Sequence, residues 1–133
     1  MEVPISYRLT FYPKQTYLHV IVTGRNSKEN VESYLKEVLY KCKSSNYSRV
    51  LIEEHLEGPR LKTLDVFQIA SEGSAFSQGM LKSIAYVDIN AEDDLMKFAE
   101  TVAVNRSSPI RVFSTVPDAE KWLLDKDRMA GKV

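Results

Sequence analysis

Ile110-Arg111-Val112-Phe113-Ser114-Thr115-Val116-Pro117-Asp118-Ala119-Glu120-Lys121-Trp122-Leu123 passes from strand to helix chemistry in a single stretch. Ile110 to Phe113 is β-branched and aromatic, which suits a pleated, half-buried surface. Thr115 followed by Asp118 supplies an N-cap oxygen and a first-turn acid, and Pro117 sits where a missing N–H costs nothing. Ala119, Trp122 and Leu123 fall on one helical stripe, which the helix must bury against the preceding strand. The spacing predicts that a buried Trp122, with Phe113, locks the helix to the sheet and does no chemistry.

The same strand-to-helix alternation recurs upstream. Ile84-Ala85-Tyr86-Val87 reads as a strand, and Asn90 with Asp93 caps a helix burying Leu95, Phe98, Ala99 and Val102, with Asn105 at its left-handed end. Val50-Leu51-Ile52 reads as a short central strand. A loop from Glu54 to Arg60 follows, then a helix from Thr63 toward Phe76 burying Val66, Ile69, Ala70 and Gly73. Before them, Asn26 with Glu29 resembles a capping box. Val31, Tyr34, Leu35, Val38, Leu39 and Cys42 behind it mark one buried helical face. The chain opens with two strand-like runs, Ser6 to Phe11 and Tyr17 to Val22, joined by Pro13-Lys14-Gln15 and ended by Gly24. The order ββαβαβαβα implies an α/β fold. It is a single-layer, mostly parallel mixed sheet of about five strands, with an antiparallel N-terminal edge strand and about four helices.

Bulk properties bound the function. A chain of 133 residues suits one domain, expected over 1–125 with a flexible tail at 126–133. Lys plus Arg and Asp plus Glu both number 18, so no overall field draws in nucleic acid. The single cysteine, Cys42, excludes a disulfide framework, and on an apolar helix face it reads as inert packing. The N-terminal MEVPISYRLT is not a signal peptide, and no apolar run approaches the roughly 20 residues that span a bilayer. A cytoplasmic, non-membrane-spanning protein is expected.

The element order and the closing Arg111 to Leu123 resemble the STAS family, found in sulfate transporters and anti-sigma factor antagonists. The stand-alone bacterial SpoIIAA-like branch is similar, including its second strand running to a glycine, here Tyr17 to Gly24, and it also resembles the lipid-binding Sec14 fold. The resemblance implies a non-catalytic regulatory or protein-interaction module, its partner another protein or a second copy in a homodimer. The alternative is a small-ligand binder, for a lipid or an anion, at the strand carboxyl edge near the second helix. The antagonists carry a phosphorylatable serine in an Asp-Ser-Ser/Thr-Gly stretch after the third strand. This sequence departs from that pattern, reading Glu53-Glu54-His55-Leu56-Glu57-Gly58-Pro59-Arg60-Leu61-Lys62-Thr63, so Thr63 is the only candidate phospho-acceptor there.

Open α/β sheets bind ligands at the carboxyl ends of their strands. At that edge His55, Arg60, Lys62 and Thr63 are the candidate anion grip, against the plainer reading of a solvated loop in which Thr63 only caps a helix. Glu53, Glu54, His55 and Glu57 with a distant His19 suggest a metal, but neighbouring strand residues face opposite ways, and no metal or cofactor is expected. Asp88, Glu92, Asp93 and Asp94 are accounted for by a helix dipole. The chain lacks a G-x-S-x-G elbow, a phosphate loop and a dinucleotide fingerprint, so no enzyme activity is expected. Tyr7, Phe11, Tyr12 and Tyr17 read as core and cross-strand packing rather than a nucleic-acid platform.

Overall fold

The computed structural model describes residues 7–58, 61–62, 64–65, 68–69, 72, 81–88, 97, 101 and 110–125. Strands β1 (Tyr7–Pro13) and β2 (Leu18–Arg25) form the expected antiparallel hairpin, with Tyr7 opposite Gly24 and Pro13 opposite Leu18. Strands β3 (Arg49–Glu57), β4 (Ser83–Asp88) and β5 (Ile110–Phe113) join in parallel. The five strands lie in the sheet in chain order, β1 to β5, so β1 is an antiparallel edge.

Helix α1 spans Lys28–Ser44 and α2 spans Val116–Leu123. Residues 64, 65, 68, 69 and 72 are also helical, as are 97 and 101. The rest of the two middle helices expected from the sequence lies outside the described residues, as do Arg60, Thr63, Asn90 and the tail at 126–133.

By the right-handed rule for parallel crossovers, α1, which joins β2 to β3, covers one face of the sheet. Val31, Tyr34, Val38, Leu39 and Cys42 of α1 pack there on Leu18, Val20, Val22, Val50, Ile52, Leu56 and Ile84. Leu61, Ile69 and Leu81, from the β3-to-β4 connection, join the same cluster. After β5 the chain turns back, and α2 closes the opposite face with Ala119 and Leu123 on Leu51, Ala85 and Val87, beside Tyr17. The Tyr17 hydroxyl donates to Glu120 Oε2 at 2.5 Å, fastening the hairpin turn to α2, and burial followed by that carboxylate pushes the phenol up to about 12.

Three details differ from the sequence reading. β3 continues through Glu57, four residues that the sequence assigns to a loop, because Leu56 and Glu54 stay in phase with Val50 and Ile52 on the buried face. The N-cap of α1 is Ser27, not Asn26: its Oγ accepts from the Asn30 N–H at 3.1 Å. Asn26 still belongs to the sheet exit, its N–H donating to Glu57 O at 2.7 Å. Trp122 is half-buried, its ring 5.8 Å from Phe113, while Ala119 and Leu123 are fully covered.

Ser27→Ala should cost about 0.5–2 kcal/mol, the usual value of an N-cap oxygen, whereas Asn26→Ala should cost less. Urea midpoints of the two variants check the assignment, and equal losses would contradict it. At the other end, Asn46 adopts φ 62 and α1 closes with Tyr47 N–H on Cys42 O at 2.9 Å and Asn46 N–H on Lys43 O at 3.4 Å. That pair of bonds is the Schellman arrangement. Tyr47 then donates through its hydroxyl to Lys14 O at 3.0 Å, tying the helix end to the hairpin turn.

Candidate functional site

The alternation of β3 sends Glu53 and His55 to one face of the sheet and Glu54 to the other. Glu54 is the only charged side chain among the buried described residues, at 4% exposure. Burying a carboxylate without partners is costly, so it must be hydrogen-bonded or protonated. Tyr34 of α1 and Tyr86 of β4 both donate their hydroxyls to Glu54 Oε2. The two phenols also touch each other, at 2.9 Å.

The register of β3 on β4 sets Glu54 beside Asp88. Burial, followed by the charge of Asp88, pushes the Glu54 carboxyl up to about 7, although the tyrosine bonds pull the other way. Tyr34 and Tyr86 are driven well above the ordinary phenol range by burial and then by the Glu54 charge, so both remain donors at neutral pH. A carboxyl near neutrality between two phenols has the parts of a general acid–base site. Here the carboxyl is buried beneath the fully covered Tyr34, while Tyr86 and Asp88 on β4 are half-buried.

On the opposite face, the Glu53 carboxylate takes His19 Nε2 on Oε1 at 2.8 Å and His55 Nε2 on Oε2 at 2.5 Å. His19, distant in sequence, is therefore a direct partner of Glu53 across the β2–β3 ladder. Burial alone would raise the Glu53 carboxyl, but the hydrogen bonds from His55 and His19 outweigh it and hold the group below its ordinary range. The Tyr12 ring lies 6.1 Å from that of His19. Among the described residues, no group of three or more His, Cys, Asp or Glu side chains is arranged to hold a metal ion.

The residues singled out from the sequence are thus dispersed. His55 lies on β3 rather than in a loop, and it is bonded to Glu53 on the face opposite Leu61 and Ile69. Lys62 is exposed, and Arg60 and Thr63 fall outside the described residues. Asp88 meets Glu54, while Glu92, Asp93 and Asp94 are outside the described residues. Cys42 is buried, and burial lifts its thiol to about 12, which keeps it unreactive. Tyr7 and Phe11 pack on the α1 side, Tyr17 on the α2 side, and Tyr12 is exposed, so these rings form no common platform.

The Glu54 network was missed in the sequence because its members come from α1, β3 and β4. One signal was available: Glu54 keeps the phase of Val50, Ile52 and Leu56.

No family model matches the sequence, and no curated protein matches it. Solved structures do resemble the fold. The crystal structure of an anti-sigma factor antagonist from Mycobacterium paratuberculosis superposes with a TM-score of 0.57 at 13% identity, covering 94% of this chain and 100% of that one. An uncharacterized protein of the DUF3478 family from Shewanella loihica PV-4, with a SpoIIAA-like fold, gives a TM-score of 0.53 at 14% identity, covering 92% and 98%. This chain is therefore a STAS/SpoIIAA-like domain in fold.

Proposed function

We propose that this STAS-like domain is a non-catalytic regulatory module that acts by binding protein, either a second copy of itself or a separate partner. The observation that carries this reading is the likeness to an anti-sigma factor antagonist over 94% of the chain. Glu54, at 4% exposure beneath the fully covered Tyr34, serves in this reading to hold α1 on the sheet. Among the described residues, no helix is long and apolar enough to cross a membrane.

The surface we assign to the partner is the edge strand β1, whose outer backbone groups have no strand beside them among the described residues. Edges of this kind associate unless charged or covered. Arg8 is its only charged residue, and Tyr12 is 44% exposed at its far end. Sedimentation velocity at micromolar concentration should show a dimer, its contact burying upwards of roughly 1,000 Å². Thr10→Lys, which sets a charge in the middle of the edge, should return the sedimenting mass to that of one chain. A monomer at every concentration would remove self-association. It would favour the second reading, a lipid or anion held at the strand carboxyl edge by Arg60, Lys62 and Thr63.

A further inference from the structure

We propose that Glu54, Asp88, Tyr34 and Tyr86 form a proton-operated latch between α1 and the carboxyl edge of β3 and β4, closed while the carboxyl pair holds a proton and loosened when that proton leaves. The geometry favours such a proton: a carboxyl at 4% exposure, set beside Asp88 by the strand register, is costly to bury as an anion. Glu54 Oε2 accepts from two hydroxyls, which can stabilise a negative charge but cannot cancel it.

The groups facing Glu54 from each packed element are few. α1 presents Tyr34, β4 presents Tyr86 and Asp88, and β2 presents Val22 at the paired position. The connection after β3 brings Leu61 and Ile69 to the same cluster. Among the described residues, no Lys, Arg or His side chain is bonded to Glu54. The His55 and His19 rings lie on the other face, bound to Glu53. Loss of that proton thus leaves a buried negative charge beside Asp88 under α1, and water can reach it only if α1, which carries Tyr34, lifts.

A second carboxyl pair makes a useful contrast. Glu32 of α1 is raised by partial burial and by a hydrogen bond to Glu72, but Lys28 and Lys36 oppose the shift. Glu32 is only half-buried and has Lys28 and Lys36 at hand, whereas Glu54 is bonded to no cation among the described residues.

The sign follows from the raised carboxyl. Glu54 binds its proton more tightly folded than unfolded, so its contribution is complete below about pH 4.5 and is lost as pH rises through about 7. The test is urea unfolding of the full chain from pH 5 to 8.5, with amide exchange of α1, corrected for its intrinsic base-catalysed rate, measured in parallel. For the wild type, the folded-to-unfolded ratio should fall on the order of a hundredfold across this range, and α1 exchange should rise. Glu54→Gln imitates the protonated form, its amide oxygen accepting from the tyrosines and its NH₂ donating to Asp88, so both profiles should flatten. If that variant does not fold, Asp88→Asn supplies the comparison and should shrink the same step. A wild-type profile that is flat, or a variant that keeps the full wild-type step, would overturn the latch. So would a fall in stability that leaves α1 exchange unchanged.

Discussion

Tyr34→Ala is expected to lower stability by about 3–5 kcal/mol, the range for losing a large buried ring. Tyr34 is among the largest fully covered side chains, at 0% exposure, and its ring meets that of Tyr7 edge-on with centroids 6.2 Å apart. Truncation opens a cavity between α1 and the sheet and removes one of the two hydroxyls holding Glu54. Tyr34→Phe separates these effects. It keeps the ring and deletes only the hydroxyl, so a loss of about 1–2 kcal/mol is expected. Urea midpoints at a fixed pH decide between them. If Phe cost as much as Ala, the hydroxyl network, not the packed ring, would carry the position.

The second large effect lies at the other end of the chain. Leu123→Ala should cost about 2–5 kcal/mol, because Leu123 is fully buried on the α2 side with Leu51, Ala85 and Val87. Trp122→Ala should cost less, about 1–2 kcal/mol, since only part of the indole is removed from water. What remains is its tilted contact with Phe113, at 5.8 Å. Thermal unfolding ranks the two, and a larger loss at Trp122 would return the anchoring role to the indole.

The sheet was largely legible in the sequence because its strands announce themselves locally. β1 and β2 are rich in β-branched and aromatic residues around a polar turn, and β4 and β5 are apolar runs with clear ends. α1 showed through Val31, Tyr34, Val38, Leu39 and Cys42, all of which are buried. β3 was read short because Glu53-Glu54-His55 looks like solvated chain. The missing fact was tertiary: Tyr34, 20 residues away, and Tyr86, 32 away, offset part of the cost of a buried Glu54. The His19–Glu53 contact was hidden for the same reason, since only the pairing of β2 on β3 brings two residues 34 apart together. Local pattern fixes which residues face inward, but strand register decides which of them meet.

Because the sheet is ordered as the chain runs, each strand finds its neighbour in the segment synthesised just before it. A nascent chain can therefore build the sheet outward without inserting a late strand between two already joined, and each step closes only a modest loop. The contacts of α2 escape this vectorial order. Tyr17 and Glu120 lie 103 residues apart, and their bond must wait until α2 has emerged. The final helix is a clasp: a chain stalled on the ribosome just short of it would carry a paired sheet with its first turn unfastened and Leu51, Ala85 and Val87 still bare.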